Sequence, residues 1–449
     1  MKKNVYFIGI GGIGMSAIAR YYNAKGFNVA GYDKTPSELT HELEKEGIAV
    51  HYEDNVKYIP EDRENTMVVY TPAIPHDMGE LTYVQQNGYK VVKRSRMLGE
   101  ISSGMRTLAV SGTHGKTTTS TLLAHIFQNS GKGCNAFLGG ISKNYGTNLL
   151  ISDNDIIVAE ADEFDRSFLQ LHPEIAVITA MDADHLDIYN DLAHVHEAFR
   201  AFASQVSGKL IVKLGLPIIE EDTKAEIMHY SYNDSKADFY ASDLFCDEYG
   251  HYCFTLNYPG GKIEGCRAGI PGWVNVENSV AAAAAALCFG MSPEEIKAAI
   301  ANYQGVKRRF DIHVNNGRVI YIDDYAHHPE ELSKAISSIR GMFPGKRMTA
   351  VFQPHLYTRT RDFAPEFAKA LSGADKVILL DIYPAREEPI PGVTSEMLLK
   401  DITSKEKILI HKEELMDRLK DEPLEILVTF GAGNIDRFIE PITEMLNRS

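Results

Sequence analysis

The sequence predicts three successive α/β domains built on largely parallel sheets, and three observations carry that expectation. The chain has 449 residues, too many for one ordinary hydrophobic core, so two or three domains are expected. Strand-like apolar runs alternate with helical ones almost throughout, the pattern of parallel sheets covered by helices. Three times an apolar strand restarts and runs through a loop into a helix. Boundaries near Ser102–Met105 and Arg309–Ile312 divide the chain into 1–103, 104–311 and 312–449. The first and third domains read as Rossmann-like and the central one as a P-loop-type ATPase domain.

Each restart has its own detail. Asn4–Ile10 leads into the Gly9–Gly14 loop and a helix through Arg20. Thr107–Ser111 leads into Gly112–Lys116 and a helix ending near Gly131, and Arg318–Asp323 into a His-rich loop and a helix from about Pro329. Asp238–Arg267 alternates apolar and polar residues around Tyr258-Pro-Gly-Gly-Lys262, as an antiparallel hairpin should. Ser292-Pro293-Glu294-Glu295 is a capping box with Pro at the first helical position, and Ala281–Ala286 reads as a tightly packed helix.

Composition narrows the function classes. Hydrophobic residues make up 44% and charged ones 24%, ordinary for a globular protein, and the net charge of −15 argues against nucleic acid or an anionic membrane as partner. The five cysteines show no paired metal spacing and read as reduced thiols. No apolar run is long enough for a membrane-spanning helix, and Val5–Ile10 is short for a signal segment, so a cytoplasmic enzyme with no membrane insertion is expected.

The strongest local motif is SGTHGKTTT at 111–119, which follows a strand and opens a helix. Backbone N–H groups of Gly112, Thr113, His114 and Gly115 and the helix start, with Thr118, can cradle phosphate oxygens; Lys116 can reach the β/γ-phosphates and Thr117 can offer its hydroxyl to Mg²⁺. Val110 stands where the strict P-loop pattern has its first Gly. In DIIVAEADEFD at 155–165 an apolar strand ends in Glu160, the best metal-binding carboxylate there, whereas Asp162, Glu163 and Asp165 read individually as solvated loop charges. A further strand ends in DADHLDIY at 182–189, where His185 is a candidate metal ligand. Gly9-Ile-Gly11-Gly12-Ile13-Gly14, with Asp33 about 20 residues on, matches the dinucleotide fingerprint. Its physics is that of pyrophosphate binding, which NAD(P) and UDP-sugars share. Asn275 and Asn278 offer amides suited to an adenine edge, and Arg308 with Arg309 offers adjacent guanidiniums suited to phosphate. DDYAHHP at 323–329 and FQPHLYTRTR at 352–361 follow strands of the third domain, the edge where such sheets bind ligands.

From GTHGKTTT through EADEFD, DADHLDIY, Asn275-x-x-Asn278, GVKRRF, DDYAHHPEE and FQPHLYTRT to Gly431-Ala-Gly433, eight motifs in chain order resemble the Mur ligases across essentially the whole chain. The opening GIGGIGMS resembles the UDP-binding loop of the alanine-adding branch, and the Asp-Asn-Pro-Arg motif of the lysine- or diaminopimelate-adding branch does not occur. The resemblance implies an ATP-dependent ligase using two Mg²⁺ ions that joins L-alanine to the carboxylate of UDP-N-acetylmuramate through an acyl phosphate. It assigns the UDP-sugar to Gly11, Gly12, Ile13, Gly14, Met15, Ser16 and Asp33. ATP falls to Gly112 through Thr118 with Asn275, Asn278, Arg309 and Asp324, metal to Thr117, Glu160 and His185, and catalysis to Lys116, His185, His328 and Arg359. The third domain is expected to act as a lid, and the protein to be a monomer or homodimer. Val274 and Leu356 depart from the His and Arg that the family often has there. Alternatives are a tripeptide-recycling ligase of the same family, an NAD(P)-dependent oxidoreductase, and a non-catalytic UDP-sugar-binding regulator.

Overall fold

The computed structural model describes residues 3–448 apart from 76, 184–185, 248–249 and 386. Its strands form three sheets. The first holds five parallel strands in the spatial order Ala49–His51, Asn28–Tyr32, Asn4–Ile8, Thr66–Tyr70, Lys90–Lys93. Successive connections therefore leave the central strand Asn4–Ile8 on opposite sides. That switch point, at the strand's C-terminal end, is where an open parallel sheet leaves a crevice for a ligand.

The second sheet has ten strands. Arg106–Ser111 lies between Ile156–Ala161 and Ile175–Ile178, parallel to both. Beyond Ile175–Ile178 the sheet runs through Lys209–Lys213, Glu226–Ser231 and Phe239–Cys246 to Tyr252–Tyr258 and Gly261–Arg267. Beyond Ile156–Ala161 it runs through Asn135–Ser142 to an antiparallel edge strand, Thr147–Leu150. The third sheet is ordered Asp311–Asn315, Ile320–Asp324, Ile426–Phe430, Met348–Phe352, Lys376–Leu379, Glu406–Leu409, with only its first pair antiparallel.

The chain divides into two compact units, Met1–Asp243 with Phe254–Arg267 and Glu277–Gln304, and Leu244–Cys253 with Ala268–Val276 and Gly305–Ser449. In the first unit two sheets share one core. Phe7, Ile18 and Met97 from the first sheet and its helices pack in the same apolar cluster as Phe137, Ile157 and Phe168 from the second. A polar clasp completes the joint. Buried Asn148 donates to Ile13 O at 2.6 Å and Ser16 Oγ at 2.9 Å, and accepts from Arg20 Nη1 at 2.5 Å. Arg20 in turn meets Glu42 and Glu46. The second unit has a core on each face of its sheet, because side chains alternate along each strand. Phe352 and Val428 enter one core, Val351 and Leu427 the other.

Local structure follows the sequence with small shifts. The first strand stops at Ile8, because Gly9 N and Ile10 N both turn onto Tyr32 O. The third-domain strand starts at Ile320 and pairs with an additional strand, Asp311–Asn315, that the apolar pattern did not reveal. Ser292 and Glu295 form the expected reciprocal cap. Ala281–Ala286 lies in the helix Trp273–Phe289 with every residue 0% exposed. Neighbouring elements thus approach this helix to methyl-group distance, and Ala283→Leu has no space to fill. We expect that substitution to destabilise the protein by about 1–3 kcal/mol, read as a lower thermal unfolding midpoint with unchanged secondary structure by circular dichroism.

Candidate active site

The Gly112–Lys116 loop of the first unit is held from beneath. Gly112 has φ 132°, and a Cβ there would collide with Thr179 Oγ1 and come within 2.7 Å of Ala180 N. Only glycine fits such a position. Thr179 Oγ1 donates to Ser111 O at 3.1 Å and also to His114 O, while Thr113 N donates to Ala180 O at 3.1 Å. The end of strand Ile175–Ile178 therefore moulds the loop. Gly115 caps the helix Lys116–Asn129 without a side-chain hydrogen bond. Its first-turn N–H groups, which have no partner within a helix, point at one spot with the positive end of the helix dipole.

Lys116 lies at that helix start with its ammonium 2.7 Å from Gly112 O and 2.8–2.9 Å from both oxygens of Glu163. Burial alone would lower the lysine pKa. The charges of Glu163, Asp162 and Glu160 outweigh it and hold the pKa above the ordinary value. The register explains this crowd of carboxylates, since Val110 pairs with Glu160 and Ser111 with Ala161 on adjacent parallel strands. Glu163, expected to be a solvated loop charge, is 1% exposed. The chain turns it inward at a tight bend where Asp165 and Arg166 have φ 52° and 54°, and Tyr189 OH donates to Glu163 O at 2.6 Å.

Glu160 is half-buried at its strand end and accepts from Gly139 N at 3.2 Å. His114 Nε2 and Thr113 Oγ1 each lie 3.4 Å from Asp182 Oδ2. Asn278 reaches the loop directly: Thr119 Oγ1 donates to its Oδ1 at 3.4 Å, and that oxygen lies 3.0 Å from where a Cβ on Gly115 would stand. Asn275, one helical turn earlier, donates to Pro271 O at 2.6 Å. Thr117 and Thr118 are buried in the first helical turn. His185 lies outside the described residues.

A second glycine loop, Gly9–Gly14, opens the helix Ile13–Ala24 at the switch point of the first sheet. Asp33 serves this loop itself, its Oδ2 accepting from Gly11 N at 2.8 Å and its Oδ1 from Thr35 N at 3.2 Å. The side chains of Met15 and Ser16 turn into the core, and Ser16 Oγ is spent on Ile13 O and Asn148. A cavity of the first unit runs from Ile13 and Gly14 past Arg94 to Gly139, Glu160 and Asp162. Sequence reasoning missed Arg94, although the run Lys93-Arg94-Ser95-Arg96 at a helix start was a visible signal.

In the second unit the assigned residues gather at the C-terminal ends of the parallel strands. His328 caps the helix Pro329–Met342 and packs edge-on to Phe363 with centroids 4.9 Å apart. Arg359 is buried on the short helix Tyr357–Asp362. His327 meets His355 edge-on at 5.9 Å, and His355 stacks on Tyr383. Leu356 is buried with φ 70° and its N–H reaches Tyr383 O, so it acts as an apolar plug at the helix start. The two adjacent arginines separate in role. Arg308 is bound to Asp323 at 3.0 Å and to Gly431 O at 2.6 Å, while Arg309 lies over the Tyr325 ring, 3.6 Å from Glu331. Asp324 accepts from Phe310 N and Ala326 N at 2.8 and 2.7 Å.

Among the described residues no three His, Cys, Asp or Glu side chains converge as a ready-made metal cage. Mg²⁺ asks for less, because it binds through one or two carboxylates and completes its shell with water and substrate phosphates. Glu160 beside the cavity and Thr117 at the phosphate loop have the oxygen donors that fit.

Three family models match in succession: the Mur ligase family catalytic domain at residues 4–106, the Mur ligase middle domain at 110–286, and the Mur ligase glutamate ligase domain at 308–433. A UDP-N-acetylmuramate–L-alanine ligase of Porphyromonas gingivalis is 51% identical, with 99% of both chains covered. The enzyme of that name from Parabacteroides distasonis is also 51% identical, over 98% of this chain and 97% of its own. Among solved structures, a UDP-N-acetylmuramate–alanine ligase of Thermotoga maritima shares the fold at TM-score 0.85 and 24% identity, covering 99% of both chains. A murein peptide ligase of Psychrobacter arcticus does so at 0.73 and 20%, covering 100% of this chain and 99% of its own.

The Lys116–Glu163 pair should behave as a buried unit. Removing one charge by Lys116→Met or Glu163→Gln is expected to cost about 3–5 kcal/mol in nucleotide-free protein, because the other stays buried and uncompensated. The double variant should recover most of the loss, measurable by denaturant unfolding of all four proteins.

Asp324 gives a pH signature. Burial pushes its pKa up from 3.8 to about 7, against the pull of Arg309 and two backbone amides. The folded state therefore holds this proton more tightly than the unfolded chain. The stability so gained is full below about pH 4 and is lost as pH rises through about 7. The unfolding midpoint should fall less between pH 5 and 8 in Asp324→Asn than in the parent.

Proposed function

This chain belongs to the Mur ligase family, and from that premise we infer that it joins L-alanine to UDP-N-acetylmuramate at the expense of ATP, in peptidoglycan precursor synthesis. The observation that carries the reading is Lys116, held charged among Glu163, Asp162 and Glu160 at a phosphate loop, in a chain half identical over its full length to two ligases of that name. We assign the UDP-sugar to residues 1–103, ATP and metal to 104–311, and the incoming amino acid to 312–449. No helix of the described residues is long and apolar enough to cross a membrane. The enzyme is proposed to work in the cytoplasm, as a monomer or homodimer.

A carboxylate is a poor acylating agent because its leaving group is oxide. Attack of the muramyl carboxylate on the γ-phosphate of ATP forms a C–O–P linkage and releases ADP. The amine of L-alanine then adds to the activated carbonyl, loses a proton, and the tetrahedral intermediate collapses with departure of phosphate. Two anions must be brought together first, and positioning with charge screening is the protein's main contribution. Lys116 exchanges Glu163 for phosphate oxygens, and the first-turn N–H groups of Lys116–Asn129 take others. Thr117 and Glu160, with His185 as a further ligand, would hold Mg²⁺, which would supply Lewis-acid neutralisation of the phosphates. Asn278 braces the loop, Asn275 and Arg309 serve the nucleotide, and Arg359 with His328 receives the alanine.

The alternatives fare less well. For an oxidoreductase the support is the first glycine loop with Asp33 alone, whereas the family models matched along the chain are all of Mur ligases. Among solved structures the alanine ligase of Thermotoga maritima matches at TM-score 0.85 and the murein peptide ligase at 0.73, and the curated relatives at 51% identity are alanine ligases by name.

A coupled assay tests the function. Phosphate release from ATP should require both UDP-N-acetylmuramate and L-alanine, and release with NADH-linked turnover or with a tripeptide in place of alanine would overturn the reading. Lys116→Ala should lower kcat by about 10²-fold or more while UDP-sugar binding stays within about twofold.

Arg359 has a separate readout. An amino-acid carboxylate calls for a planar, two-pronged cation that also orients the amine. Arg359→Ala is expected to raise the KM for L-alanine by about tenfold or more and that for ATP by less than about twofold; an unchanged alanine KM would move the carboxylate site elsewhere.

A further inference from the structure

The helix Arg94–Ser102 begins against electrostatic preference. Lys93 is its N-cap, Arg94 its first residue, and its first turn holds no acidic side chain, so cations crowd the positive end of the helix dipole. Two ion pairs to the acid-rich segment offset this. Lys93 Nζ lies 2.9 Å from Asp165 Oδ2, a short contact, whereas Arg94 Nη2 reaches Asp162 Oδ2 only at 3.4 Å and through one nitrogen. A guanidinium satisfied by a carboxylate normally takes two short parallel bonds. Arg94 is thus loosely held.

Its other neighbour is the glycine loop. A Cβ on Gly14 would stand within 3.3 Å of Arg94 Cδ and Cζ, so the side chain lies across the first turn of the helix Ile13–Ala24 because residue 14 has no side chain. The cavity that begins at Ile13 and Gly14 contains Arg94 as the one cation among its described lining residues, and its far end is Glu160 and Asp162. Arg94 is about one-fifth exposed and Asp162 one-third. Both can move without opening the core.

We propose that Arg94 is the residue that grips the diphosphate of the sugar nucleotide, and that Asp162 holds it in reserve when the glycine loop is empty. This rests on the UDP-sugar reading of the first domain and adds to it a named cation and its competitor. Helix N–H groups alone provide direction and partial charge, and a diphosphate carries more charge than they neutralise. A guanidinium adds a planar fork matched to two phosphate oxygens. On binding, Arg94 exchanges one long contact for two short ones, and Asp162, which already acts on Lys116, loses its screening cation. The diphosphate and Asp162 then compete for a single guanidinium, and removing the competitor must strengthen the ligand.

Calorimetric titration with UDP, with uridine as the control lacking phosphate, separates the outcomes. Arg94→Ala should weaken UDP by tenfold or more and leave uridine unchanged, with Arg94→Lys between it and the parent. Asp162→Asn should instead tighten UDP by twofold or more, a gain that a merely structural ion pair would not give. Equal UDP affinity in Arg94→Lys and the parent, or weaker UDP binding in Asp162→Asn, overturns the proposal. A parent protein that binds neither UDP nor UDP-N-acetylmuramate overturns the UDP-sugar reading itself.

Discussion

A lysine ammonium cannot be left alone in a protein interior, and the centre of this molecule is organised around that constraint. Lys116 starts a helix at a glycine loop and faces away from bulk water. Its charge survives because three carboxylates act on it, Glu160 at the end of the neighbouring strand and Asp162 and Glu163 in the loop that follows. Two features make this possible: the parallel register that sets Glu160 beside Val110, and the sharp bend at Asp165 and Arg166 that turns Glu163 inward. Both are backbone features. The electrostatics of the site is in this sense a product of sheet topology, and Glu160, one of the carboxylates that hold the lysine charged, is also the oxygen donor proposed above for a metal.

Much of this was legible in the sequence, and the reasons differ by element. Strand–loop–helix units announce themselves by local periodicity and glycine spacing, so both glycine loops and their helices lie where the residues indicated. The capping box at Ser292 is likewise local. Glu163 was misread because its role depends on a partner 47 positions away, and an acidic run by itself resembles any solvated loop. Thr179, which moulds the phosphate loop, sits at the end of an unremarkable apolar strand, and only the sheet order brings it under Gly112. Met15 and Ser16 are buried, and a motif match does not say which of its side chains face inward.

On the roles proposed above, the two glycine loops of the first unit solve the same anion-binding problem differently. At the phosphate loop the cation is built into the motif, with Lys116 the first residue of the helix it serves. The Gly9–Gly14 loop has no basic residue of its own, and Arg94 arrives from a helix that follows another strand. A cation inside the motif is seen by any pattern search. One supplied from elsewhere is invisible until the fold is known, although its position against the helix dipole is an electrostatic anomaly that points to it.

Asn148 has a consequence for how this architecture can be altered. Its amide ties the carbonyl of Ile13, the hydroxyl of Ser16 and the guanidinium of Arg20 to the edge strand of the second sheet. The helix that carries the nucleotide loop is therefore a shared structural part of both sheets. A module exchange cut at residue 103 would leave a polar, three-way socket without its insert and an apolar face without its cover. Grafting a different nucleotide specificity onto this scaffold thus requires the edge strand Thr147–Leu150 to travel with the donor loop, and the unit of inheritance is larger than the sheet that binds the ligand.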